Sequence, residues 1–384
     1  MKKKLSVFII VTIILAVFLI GKSPIFKKEE TSLCKDAKEY FQKQQCWQEL
    51  FDSTLEKSGL DNAFILMDQL FKSEEDFASD CHDFAHRLGE KAYLLFNSDK
   101  QFDLPDKTSY CGYGFYHGFM EKLLLASGDL KQARSFCKYA GEKLKEKNSD
   151  AEGACFHGIG HGAVEDVTNP KLFGNPQAII QPSLDLCEQV SGDEDKLFRC
   201  TTGVFNALEI VTSSGKYGLS LYKEDPFWFC RKQIEKYQRA CFTQMIVAVM
   251  NITGNDFVKS AKFIDSIENN DIAKESLSGL VIERVRLGLT DYQQTLEYCH
   301  NLGERFHLPC ISGFGEGFLK YGPPQEEYKK ALNFCQSSLL TEEEKKVCYG
   351  RILPILRIWY TTLKANKICK SVDIKYQWNS CQYI

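Results

Sequence analysis

The sequence predicts an all-α protein, a disulfide-stapled solenoid of antiparallel helix pairs behind one N-terminal transmembrane helix. Three observations carry this: sixteen cysteines in eight short-range pairs, small residues repeating at fixed distances after the second cysteine of a pair, and one apolar run at the N-terminus. With 384 residues and 44% hydrophobic content the chain can bury a large core, as two or three domains or as one repeat array. A net charge of -3, spread in mixed sign, argues against nucleic acid as a partner.

At the N-terminus, Lys2 to Lys4 precede sixteen uncharged and mostly apolar residues, Leu5 to Ile20. As a helix rising about 1.5 Å per residue, this run just covers the hydrocarbon layer of a bilayer. A cleaved signal peptide shares these features, but the small pair Gly21 and Ser23 runs straight into Pro24, which hinders cleavage. The expected organisation is a cytoplasmic tail (1–4), a transmembrane signal anchor (5–21), a linker (22–33) and an extracytoplasmic helical repeat domain (34–384) of a single-pass cell-membrane protein. Lys22, Lys27 and Lys28 weaken the charge asymmetry across the anchor, so orientation rests on the cysteines.

All cysteines follow the anchor, and short gaps alternate with long ones. The short gaps join Cys34 to Cys46, Cys81 to Cys111, Cys137 to Cys155, Cys187 to Cys200, Cys230 to Cys241, Cys299 to Cys310, Cys335 to Cys348 and Cys369 to Cys381. Most of the long gaps fit one antiparallel helix pair with its turn. The segments Trp47 to Asp80 and Phe242 to Tyr298 are longer and must contain extra or elongated helices. Before the first cysteine of a pair a helical pattern closes on an aromatic residue, as at Phe136, Phe229, Tyr298 and Phe334; Gly141, Gly192 and Gly303 follow as expected helix stops. Three residues after the second cysteine come Gly114, Gly158, Gly203 and Gly313, and seven after it Gly118, Gly162, Ala207, Ala248 and Gly317. This small-residue stripe lets a neighbouring helix approach closely.

Each bridge is then expected to tie the end of one repeat's second helix to the start of the next repeat's first helix, ends that are neighbours in a stacked array. Without any Cys-x-x-Cys, zinc ribbons and thioredoxin-like sites are disfavoured, and paired cysteines place the domain in an oxidising compartment. Tandem helix pairs with one local disulfide each, and Cys-x-x-Gly opening the first helix, resemble the cysteine-rich Sel1-like repeats, which are related to tetratricopeptide arrays. The resemblance covers Cys34 to Cys381 in pattern, though here the spacings vary. It implies a protein or peptide partner on a concave face.

Five of the seven histidines fall between positions 82 and 161. His82 and His86 are one helical turn apart, as are His157 and His161, while His117 and His161 both stand six residues after a second cysteine. Asp52, Asn206 and Glu316 fill that place in other repeats, so the repeat model aligns a polar column along one face. Glu121 and Glu165 follow their column histidines by four. Imidazole with carboxylate suits zinc, iron, manganese or copper, so His82, His86, His117, His157, His161, Glu121 and Glu165 form the candidate metal set. The competing reading is a polar seam between close helices, in which these histidines only bond each other's neighbours.

The zinc-peptidase motif does not fit, since Gly158 and Asp83 stand where the glutamate base belongs. Covalent haem lacks its Cys-x-x-Cys-His, while non-covalent haem on two histidines stays open. Gly158 to Gly162 matches the packing stripe and not a phosphate loop, Asn251 is a formal glycosylation site inside an apolar helical run, and Pro323-Pro324 marks a turn between helices. His300 and His307 are expected on the surface of a distant loop. Two functions follow: a binding module with a structural or sensed metal, or a metal-dependent hydrolase or oxidoreductase with Glu165, Glu121 or Asp83 as general base.

Overall fold

The computed structural model describes residues 34, 37–98, 102–165, 169–287, 293–377 and 381, and among them every regular element is a helix. The expected tail, anchor and linker lie outside the described residues, apart from which no helix is long and apolar enough to cross a membrane. All eight expected cysteine pairs are bonded, with Cα atoms 5.2 to 5.9 Å apart, and no cysteine is free. Such a density of bridges points to an oxidising location.

The chain forms two compact units, Met1–Ser53 and Thr54–Ile384, with the boundary inside α1 (Tyr40–Ser58). The second unit holds α2 (Leu60–Ser73), α3 (Glu75–Ser98), α4 (Gly114–Ser127), α5 (Leu130–Leu144), α6 (Ala151–Glu165), α7 (Pro176–Ser191) and α8 (Glu194–Ser213). It continues with α9 (Trp228–Arg231), α10 (Glu235–Gln244), α11 (Ile246–Thr253), α12 (Phe257–Asp265), α13 (Asn270–Arg286), α14 (Gln293–Asn301) and α15 (His307–Tyr321). The last are α16 (Glu327–Gln336), α17 (Glu342–Trp359), α18 (Thr362–Lys370) and α19 (Ile374–Gln377). The long cysteine gap before Cys299 therefore does contain extra helices, α11 to α13.

Starts and stops follow local chemistry. Asp129, Asn175, Asp193 and Asn269 cap α5, α7, α8 and α13 by accepting first-turn backbone N–H groups, and Thr341 with Glu344 forms a capping box on α17. Gly192 ends α7 in a left-handed conformation, φ 81°. Gly141 does not stop a helix as expected: it lies inside α5, where a Cβ would come within 2.7 Å of the Glu152 side chain. Its smallness serves contact with α6, which the sequence alone does not separate from a stop signal.

Helices pack in succession, α4 on α3, α6 on α4 and α8 on α6, and later α15 on α13 and α17 on α15; α6, α8, α15 and α17 carry a second cysteine and α4 begins just after one, whereas α3 carries the first cysteine Cys81 and α13 carries none. The small-residue stripe is what brings them together. A Cβ on Gly118 would lie 2.0 Å from the His86 carbonyl oxygen, on Gly158 2.4 Å from that of Tyr116, on Gly203 1.9 Å from that of His157 and on Gly313 2.7 Å from that of Ser278. No side chain fits there, so the backbones touch where ordinary helix pairs stay about 8–10 Å apart. The first-cysteine helices α5, α7, α14 and α16 flank this inner series.

One contact is not predicted by local pattern. The end of α17 returns to the segment around α4 and α5: Tyr113 Oη contacts the Ile358 carbonyl at 3.0 Å, and the rings of Tyr113 and Trp359 are 5.2 Å apart. Arg357 donates to the carbonyls of Lys145 and Glu146 at 3.1 and 3.2 Å, while Ser149 N donates back to the Arg357 carbonyl at 3.1 Å. These partners are 208 to 246 residues apart by their numbering.

Candidate metal centre

α3, α4 and α6 each present one stripe of residues four apart, and the glycine contacts between these helices press the stripes together. His117 is central. Its buried ring stacks on His161 at 4.7 Å and on His157 at 4.9 Å, and meets His82 edge-on at 5.1 Å and His86 at 6.3 Å. All five histidines of the expected set are thus in one cluster.

Glu121, one turn after His117, joins two of them. His86 Nε2 lies 2.9 Å from Glu121 Oε1 in a hydrogen bond. His161 Nδ1, also buried, lies 2.7 Å from the same oxygen in an ion-pair contact. His86, Glu121 and His161 are therefore within metal-ligand reach of one another, from three different helices.

Neighbours set the tautomers of the others. His82 Nδ1 is 2.8 Å from the Cys111 carbonyl, which only accepts, so that nitrogen donates and Nε2 keeps its lone pair. The Cys111 carbonyl reaches it from a left-handed turn, φ 55° at Cys111 and 68° at Tyr113, a conformation costing about 1–3 kcal/mol at each such residue. His157 Nδ1 is 2.8 Å from Thr202 Oγ1, whose hydroxyl proton already goes to the Arg199 carbonyl; His157 therefore donates, and its Nε2 is also bare. Orienting bonds of this kind are what ligating histidines carry on their second nitrogen.

The charges are tuned accordingly. Burial, offset in part by the Cys111 carbonyl, holds His82 at about 4. Burial and the surrounding imidazoles hold His117 well below the ordinary histidine value, and burial with Arg199 does the same to His157. Burial also opposes charge on His86, but bonds to Glu121 and Glu90 outweigh it and raise His86 to about 9. In turn Glu121, despite burial, is held at about 2 by His161 and His86. Three of the five imidazoles, His82, His117 and His157, are held neutral, while His86 keeps a proton bonded to Glu121 that a transition cation would have to displace.

The Glu165 side chain lies outside the described residues, and Asp83, one of the expected general bases, is exposed. Asp52 belongs to the first unit, where Gln48 donates to it, and Glu316 pairs with Arg351 at 2.7 Å. Glu90 is the residue missed: its Oε1 is 3.4 Å from His86 Nδ1. The signal was present, since Glu90 follows His86 by four as Glu121 follows His117. His300 and His307 reach the surface as expected, but on helix ends and not in a loop. They close α14 and open α15, and both contact the buried Glu344.

No family model, no curated protein and no solved structure matches the chain. The functional reading therefore stands on the site's own geometry.

Proposed function

We propose that the chain is a membrane-anchored, extracytoplasmic helical-repeat protein, Sel1-like in pattern, that binds a transition-metal ion at His86, Glu121 and His161, with His117, His82 and His157 as further donors. The observation that carries this is the convergence of His86 Nε2 and the buried His161 Nδ1, from two helices, on one Glu121 oxygen at 2.9 and 2.7 Å. Zinc, iron, manganese or copper fits the mixed donors. A protein or peptide partner belongs to this reading through the repeat pattern.

The second reading, a metal-dependent hydrolase or oxidoreductase, is favoured by one feature. Two histidines and one carboxylate are a three-ligand set that leaves a coordination position for water or substrate. Partial exposure of His82, His86 and His157 gives an approach to it.

Elemental analysis of the full-length chain, purified in mild detergent with its bridges intact, tests the site. His161→Ala combined with Glu121→Gln should lose one ion per chain relative to the parent. Equal metal content in both proteins would return the histidines to a packing role. Cobalt substitution then separates the two readings: a spectrum shifted by added azide marks an open position, and an unchanged one a closed structural site.

A further inference from the structure

A second cluster lies at the corner between α14 and α15. His300 is in the last turn of α14 and His307 is the first residue of α15, with ring centroids 5.9 Å apart at 81°. Both aim Nε2 at one oxygen, Glu344 Oε1 on α17, at 2.9 and 2.7 Å. Two ring nitrogens and one carboxylate oxygen thus converge from three helices, all within reach of a single ion.

The arrangement is held rigid from behind. Glu344 Oε2 accepts the Thr341 backbone N–H at 2.6 Å in the capping box, so the carboxylate cannot rotate away. The Cys299–Cys310 bridge begins one residue before His300 and ends three after His307, and Cys335–Cys348 anchors the first turns of α17. Such fixed outer partners are what a metal ligand needs. The carboxylate is buried, with its side chain 1% exposed, while the imidazoles are 38% and 31% exposed. An ion would therefore enter from solvent, take the three protein atoms and complete its shell with water.

We propose that His300, His307 and Glu344 form a second transition-metal site, of the zinc class, that clamps α14 and α15 to α17. Two imidazoles and one carboxylate are borderline donors that favour zinc, nickel or copper over magnesium or calcium. The site is independent of the central cluster. It draws on none of its residues, and its success or failure is read separately.

The test is zinc stoichiometry of the full-length chain after equilibration with micromolar zinc, in three proteins: the parent, His300→Ala/His307→Ala, and His161→Ala/Glu121→Gln. The first double variant should bind one ion fewer than the parent. Zinc should still raise the melting temperature of the second double variant, whether or not the central site holds metal. In the parent, zinc should protect His300 and His307 from diethylpyrocarbonate, a readout that needs no substitution. Unchanged stoichiometry on losing both histidines, or modification of both at equal rates with and without zinc, overturns the proposal and leaves plain histidine–glutamate bonds.

Discussion

Thr202 does for His157 what the Cys111 carbonyl does for His82: it accepts a hydrogen bond from Nδ1–H and so leaves the lone pair on Nε2. Thr202→Val keeps the shape and removes the acceptor, so His157 is free to change tautomer. Metal affinity should fall by about 10–100-fold with the helices intact, as chelator competition and circular dichroism would show. If affinity is unchanged, His157 is not a ligand. The five histidines were legible in the sequence because helical spacing and the distance from a cysteine both mark them. Thr202 was not, because its role depends on which carbonyl its own proton chooses. Nor was Glu344, which stands 37 residues from His307 and becomes its neighbour only when α17 packs.

At the scale of the helix, two glycines make opposite predictions. Gly203 on α8 faces the His157 carbonyl of α6, and a methyl group there would sit 1.9 Å from it, so the helices must separate. Gly203→Ala should cost about 1–3 kcal/mol in denaturant unfolding, or more, and should weaken metal binding, since α8 carries Thr202 to His157. Gly279 is inside α13 with nothing closer than 3.9 Å to a new Cβ. Gly279→Ala should leave stability unchanged or raise it by about 0.5–1 kcal/mol, the ordinary helix preference. Both changes having the same sign would mean that backbone contact is not what the glycine stripe provides. The stripe was readable from its period, whereas Gly141 was misread because a helix-ending glycine and a helix-packing one leave the same mark.

Across the whole molecule, pH stability is governed partly by buried acids outside the metal centre. Burial raises Glu327 to about 7 even though Tyr360 and the Gln325 N–H bond its carboxyl, and burial raises Glu209 to about 7 as well. The folded state thus holds protons that an unfolded chain gives up near 4.5. These groups favour folding fully below that value, and their contribution is lost as pH rises through 7. Glu327→Gln should flatten the decline between pH 4.5 and 7 by roughly 1–3 kcal/mol in denaturation measured across that range. An unaltered slope would show that Glu327 ionises normally.

The return of α17 to Tyr113 was beyond local pattern, because no short-range spacing joins residues more than two hundred positions apart. Linear repeat proteins melt piecemeal, each module answering only to its neighbours. Here Arg357 and Trp359 fasten late helices to early ones, so a helix that loosens in the middle is still held from both sides. Thermal unfolding should be one sharp cooperative transition, and Arg357→Ala should broaden it or split it in two in calorimetry.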